Sequence, residues 1–194
     1  MTAGRPRNFD IDEALATATG VFWKQGFRGT SLDDLVGALG LSRSSFYAAF
    51  RSKEHLFVEC LRYYCETQAT AMEEGLEASS SPLGFIRQVL ERVVNEAREA
   101  SPCGCLLMNS ANEVAISDPE LAREIRRLLD RFERIFLKAI QRARASGEIS
   151  AEADDETLAA YLATNVGGLR SQAKAGLPAA RIKKIVQQIL RSLE

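Results

Sequence analysis

Apolar positions along this chain recur at three- and four-residue intervals, and polar runs with turn-forming residues separate the segments. Ile11, Leu15, Ala18 and Phe22 form the first stripe. Asp10, with Glu13 three residues later, reads as its capping box, and Gly26 as its stop. A short second helix, capped by Thr30 or Ser31, turns Leu32, Leu35, Val36 and Leu39 inward and ends at Gly40, which permits a tight turn. A third runs from about Ser42 to Ala49. A fourth opens at Ser52, places Leu56, Phe57, Cys60, Leu61 and Tyr64 inward, and meets no breaker until Gly75. At 1.5 Å per residue it is about 35–40 Å long, enough to leave a small domain and enter a larger one. Further helices follow near 82–98, 103–115, 119–145, 155–175 and 178–193. The start at Asp118-Pro119-Glu120 is the clearest of them: a cap, a proline at the first helical position and an acid in the first turn. Alternating β-branched runs are absent. The pattern predicts an all-α chain, with a three-helix helix-turn-helix domain over 1–52 and a larger helical domain over 53–194.

Charge sharpens this picture. The net charge is only −1, but its distribution is uneven. Residues 1–9 and 41–53 hold Arg5, Arg7, Arg43, Arg51 and Lys53 and no acid, while the remainder has a net charge of −6. Cations concentrated in two places fit a chain that meets phosphate only there. A hydrophobic content of 46% supports a real core. The chain has no apolar run of membrane-spanning length and a polar N-terminus, so a cytoplasmic protein without a membrane partner is expected. Cys60, Cys65, Cys103 and Cys105 lack the spacing of a secreted disulfide framework. His55 is the single histidine, and no nucleophile–base pair, metal-ligand cluster or phosphate loop is present, so neither enzyme activity, metal nor cofactor is expected.

Two short amphipathic helices meeting at Gly40 read as a helix-turn-helix, in which one helix packs and the next enters a DNA groove. At about 100° per residue, Phe46 and Phe50 fall on the inner side of the third helix. Ser44 and Ala48 lie opposite, flanked by Ser45 and Tyr47. Small outward residues allow close approach to base edges. Arg43 is long enough for a guanine edge or a phosphate, and Tyr47 carries a hydroxyl for a phosphate. Ser52 and Lys53 open the fourth helix, where backbone N–H groups favour an anion. Arg5 and Arg7 precede the first helix as a basic arm for the backbone or minor groove. The competing reading is three small helices that merely pack on one another.

The residues Phe22-x-x-x-Gly26-Phe27-x-Gly29-Thr30-Ser31-Leu32-x-x-Leu35 are followed by Gly40-Leu41-Ser42-x-Ser44-Ser45-Phe46-Tyr47-x-x-Phe50-x-Ser52-Lys53-Glu54-x-Leu56. Together they resemble the N-terminal domain of TetR/AcrR-type transcriptional regulators over about residues 9–57. The resemblance implies an all-helical homodimeric regulator, most often a repressor, that leaves double-stranded operator DNA when a small molecule binds its larger domain. At matched positions it implies DNA contact by Arg43, Ser44, Ser45, Tyr47 and Lys53, with Thr30 near a phosphate at the second-helix cap. The segment Gly104-Cys105-Leu106-Leu107-x-Asn109-Ser110-Ala111-x-Glu113 is similar to one branch of these regulators, some of which sense electrophiles or oxidants through the matched cysteine, Cys105. Near a helix start a thiol also meets the positive end of the helix dipole. The alternative is that Cys105 is a small buried hydrophobe.

Effector contacts are sought among polar or aromatic residues on otherwise apolar helices: Tyr64, Phe85, Met108, Asn109, Asn112, Phe136, Asn165 and Arg170, together with Cys105. Such a lining suits a small, mostly apolar ligand. Leu158, Tyr161, Leu162, Val166 and Leu169 form one late stripe, and Ile182, Ile185, Val186, Ile189 and Leu193 another. Two such helices from each of two copies build a four-helix dimer interface. The same stripes also suit packing within one copy, and the family resemblance favours the dimer.

Overall fold

The computed structural model describes residues 10–114, 118–150 and 152–193. Arg5 and Arg7 lie outside the described residues. All regular structure among them is helical: α1 (Ile11–Gly29), α2 (Leu32–Leu39), α3 (Arg43–Phe50), α4 (Lys53–Ala78), α5 (Pro82–Glu96), α6 (Leu106–Val114), α7 (Pro119–Ala145), α8 (Asp155–Lys174) and α9 (Ala179–Arg191). None of these helices is long and apolar enough to cross a membrane. The chain forms two compact units, one ending at Tyr64 and the other beginning at Cys65, so α4 contributes to both.

Local chemistry explains most boundaries. The Asp10 carboxylate accepts from the N–H groups of Asp12 and Glu13 at the start of α1. Gly26 does not end that helix but breaks its path, at φ 77° and ψ 169°. α2 carries a full capping box between Ser31 and Asp34, and its end turns through Gly40 at φ 62°. α4 runs through Gly75 to Ala78. An interior glycine costs a helix about 1 kcal/mol, and burial of Ala69 and Leu76 on the same helix offsets it. α6 starts at Leu106, later than the pattern suggests, because Gly104 at φ 74° interrupts the helical path. Asp118 caps α7 through the N–H groups of Glu120 and Leu121.

The first unit is built on aromatic side chains. Phe22, Phe46, Leu35, Leu56 and Phe57 are almost wholly buried. Phe22 meets Phe57 edge-on at 4.9 Å, and Phe27 lies 4.8 Å from the same ring. Thr19 donates to the Cys60 carbonyl at 3.5 Å, tying α1 to the first turns of α4. Trp23 packs edge-on against Tyr64 at 5.0 Å.

In the second unit, α5 packs against α7, α8 and α9, and α8 lies along α7. Ile86, Leu90, Ile140, Leu162 and Ile182 sit at its centre. This changes the reading of the two late stripes. Leu158, Leu162, Val166, Leu169, Ile182, Val186, Ile189 and Leu193 are buried within one copy. α8 and α9 use their strongest apolar faces to complete their own core, because α5 and α7 lie against those faces. Tyr161 is the large apolar residue of α8 left exposed, at 37%. Glu148 locks the α4–α5 turn to the end of α7: its carboxylate accepts from the Ser81 hydroxyl, the Leu83 N–H and the Ser146 hydroxyl. The Ser81 and Ser146 bonds hold its pKa below the usual carboxylate range.

Burial raises the thiol of Cys60 from 9.0 to about 12 and that of Cys65 from 9.0 to about 11. Both are neutral in the fold at a pH where the unfolded chain has begun to ionise them. The unfolded state then binds fewer protons, so stability is retained below about pH 9 and declines as pH rises toward 11–12. Urea unfolding at a series of pH values checks this, with Cys60→Ala expected to flatten the alkaline decline.

Candidate nucleic-acid interface and ligand cavity

The outward face of α3 is short and polar. Ser42 caps the helix by accepting from the Ser45 N–H at 3.1 Å, and its hydroxyl also bonds those of Ser44 and Ser45 at 2.9 and 2.8 Å. Arg43, Ser44, Ser45, Tyr47 and Ala48 are exposed, while Phe46 and Phe50 are buried. Tyr47 is 51% exposed, and its ring stands edge-on to Phe46, at 5.7 Å and 87°. The buried ring thus aims the hydroxyl outward.

Arg43 reaches across to α2 and donates to both oxygens of Asp33, at 2.7 and 2.9 Å. Both partners are largely exposed, at 64% and 72%. An ion pair in water is worth little, so the guanidinium can exchange Asp33 for a phosphate or a guanine edge. In this structure the pair bridges α2 and α3. Asp33 escaped the sequence reading because an acid in a first helical turn already has a sufficient explanation in the helix dipole.

Two expected phosphate contacts have internal work instead. The Lys53 ammonium donates to the carbonyls of Phe27 and Thr30 at 2.9 and 2.8 Å and sits 4.3 Å from the centre of the Phe27 ring. Thr30 is 1% exposed, and its hydroxyl donates to the Gly26 carbonyl at 2.6 Å. Ser31, not Thr30, caps α2. The break at Gly26 leaves carbonyls without helical donors, and Lys53 and Thr30 supply those donors. Ser52 in turn caps α4 by accepting from the His55 N–H at 3.1 Å. Arg51, exposed between α3 and α4, takes φ 66°, a costly angle for a side chain with a Cβ. Its N–H closes α3 on the Tyr47 carbonyl at 3.0 Å.

The second unit contains a cavity of about 310 Å³. Of the expected ligand contacts, Cys105, Met108 and Phe136 come together on its wall, and Arg170 joins them. The remainder lie elsewhere. Tyr64 packs against Trp23 in the first unit. Phe85 is buried in the α5 core, where a methyl group placed on Gly75 would touch its ring at 3.6 Å. Asn109 donates to the Cys103 carbonyl at 2.8 Å, and Asn165 to the Tyr161 carbonyl at 2.8 Å. Asn112 is exposed. The wall also includes Met72, Val89, Arg92, Arg126, Leu129 and Phe132. Gly167 packs closely there: a Cβ would lie 3.3 Å from the Met108 side chain. Among the described residues there is no group of His, Cys, Asp or Glu able to hold a metal.

These two features, a helix-turn-helix with a polar outward helix and a separate helical unit around a cavity, are those of a DNA-binding transcriptional regulator. Residues 14–60 match the family model of bacterial regulatory proteins of the tetR family, and residues 82–189 match the tetracyclin repressor-like C-terminal domain. The chain belongs to the TetR family of DNA-binding transcriptional regulators. It is 37% identical over 161 residues to the uncharacterised HTH-type transcriptional regulator YezE of Bacillus subtilis, covering 82% of this chain and 83% of that protein. It is 28% identical to the HTH-type transcriptional repressor ComR of Escherichia coli, covering 97% and 90%. The fold superposes, at a TM-score of 0.85 and 32% identity, on a cysteine-substituted regulator CifR solved with 26-base-pair double-strand operator DNA, over 98% of this chain and 100% of that one.

Lys53→Met removes both hydrogen bonds to the α1–α2 corner and is expected to destabilise the protein by about 1–3 kcal/mol, since two partly buried acceptors lose a charged donor. Chemical denaturation monitored by Trp23 fluorescence reads this directly. An unchanged midpoint contradicts the structural role of the clamp.

Proposed function

We propose that this regulator is a repressor that binds a pseudo-palindromic operator as a homodimer and leaves it when a small molecule fills the cavity of the second unit. The single observation that carries the DNA half is the exposed α3 surface of Arg43, Ser44, Ser45 and Tyr47, rigidly backed by Phe46 and Phe50. Residues 1–52, completed by the first turns of α4, form the operator-reading domain, and 53–194 the effector and dimer domain. Arg5 and Arg7 serve as the basic arm of this reading. Two copies set their recognition helices in successive major grooves about 34–36 Å apart. The protein acts in the cytoplasm, where the chromosome is.

The effector half rests on the cavity and on α4. Gln68 and Met72 of α4 line the cavity, while Lys53 of the same helix anchors the α1–α2 corner. A ligand that prefers one position of α4 shifts the operator-competent population by its differential affinity for the two states. The dimer uses the outward faces of α8 and α9, since their inward faces are already occupied. Thr157, Tyr161, Thr164 and Gly168 present an exposed stripe on α8, and Tyr161 accepts from the Ser192 hydroxyl at the end of α9 at 3.4 Å. A second reading is favoured by one observation: Cys105 lies on the cavity wall. Here alkylation or oxidation of that thiol takes the place of reversible binding.

The test is binding to the DNA upstream of its own gene across a salt series. Arg43→Ala is expected to raise the operator Kd about tenfold or more, and Tyr47→Phe about fivefold, one charged and one neutral hydrogen bond respectively. Sequence-independent binding unchanged by either variant overturns the assignment. Operator release by N-ethylmaleimide that Cys105→Ser abolishes favours the thiol reading over reversible ligand binding.

A further inference from the structure

We infer that the cavity of the second unit takes a small amphipathic molecule with a single carboxylate head, held by Arg92. This rests on reading that cavity as the effector site. The body of the ligand is set by the walls: Met72, Val89, Met108, Leu129, Phe132 and Phe136 are apolar, and such walls disfavour a molecule that is polar along its length. The volume of about 310 Å³ equals roughly ten water molecules in the liquid. It therefore suits a ligand of roughly ten to fifteen non-hydrogen atoms.

The head group is set by charge. Arg92, Arg126, Glu133 and Arg170 are the ionised side chains on the wall. Three of them are already answered within the protein. Arg170 donates to both oxygens of Glu96 at 2.8 and 2.7 Å. Arg126 stands between Asp130 at 2.9 Å and Glu133 at 3.8 Å. Arg92 has no such partner among the described residues. Its natural helical partner, Glu96, lies four positions on, and Arg170 takes both oxygens of that carboxylate. The Glu96–Arg170 pair thus leaves Arg92, exposed on α5, without a carboxylate partner among the described residues at the edge of an apolar space. A guanidinium fork matches a carboxylate in two parallel hydrogen bonds, which a neutral head group cannot reproduce. A cationic head would share the cavity with three arginines.

Calorimetric titration of the full-length protein at pH 7 and low salt, with octanoate, octanamide and octylamine, separates the possibilities. These probes share one alkyl body and differ in head charge. Octanoate is expected to bind about five- to tenfold more tightly than octanamide, with octylamine weakest. Arg92→Gln is expected to erase the preference, and Arg92→Lys to retain part of it. Equal binding of octanoate and octanamide, tighter binding of octylamine, an unchanged preference in Arg92→Gln, or no binding of any probe overturns the assignment. The same titrations with labelled operator present separate this from the effector reading. Arg92-dependent octanoate binding with the operator retained supports the head-group assignment and removes the effector reading. Operator release by octanamide as effective as by octanoate does the reverse.

Discussion

The DNA-reading unit depends on how one ammonium group is satisfied. Lys53 opens α4, yet it donates to two carbonyls at the corner between α1 and α2 and covers the Phe27 ring. That corner exists because Gly26 breaks the helical path, leaving carbonyls that need donors. Thr30 supplies one and Lys53 two. With the corner held, α2 meets α1 at a defined place, the Gly40 turn directs α3, and the Phe22–Phe57 contact closes the core behind it. A cation that the charge pattern assigns to phosphate is thus an internal brace. The exposed polar face of α3 stands on the frame that this brace supports.

The second unit shows a related division between structural and available charge. Its ion pairs are concentrated where α4 meets α7. Arg131 joins Glu66 and, at 3.5 Å, Glu73, while Glu77 accepts from Lys138 at 2.6 Å and from Arg142 at 2.8 Å. Hydrogen bonds from these cations hold the Glu66 and Glu77 carboxyls below their ordinary pKa. Such solvated pairs are individually weak and screened by salt. They add a register between α4 and α7 to the apolar packing of Ala69 and Leu76 on the same helix. On the far wall, packing is close: a Cβ at Gly167 would lie 3.3 Å from Met108, whose side chain would have to give by a few tenths of an ångström.

Much of this was legible in the linear pattern, because helix capping and amphipathic spacing are local. Ser42, Asp118 and the prolines at the starts of α5 and α7 mark helix starts through bonds made within one turn. The outward set of α3 follows from the angle between successive residues once Phe46 and Phe50 are known to be inside. The cavity was only partly legible. Cys105, Met108 and Phe136 converge on it, but Tyr64, Phe85, Asn109, Asn112 and Asn165 do not. Their aromatic or polar character shows that they need partners without showing which partners they find.

The sequence by itself determined the all-helical class, the helix-turn-helix and the small polar face that α3 turns outward, since each depends on contacts within a few residues. Only the tertiary structure decided which groups of one chemical type are spent and which remain available. Lys53 and Thr30 face inward because a broken helix end, 26 residues away in one case and four in the other, demands donors. The stripes of α8 and α9 face their own core because α5 and α7 lie beside them. Among the described residues Arg92 has no carboxylate partner, because Arg170, distant in sequence, claims Glu96. Periodicity tells which side of a helix is buried; what buries it, and which charge finds a partner, is settled by residues far along the chain.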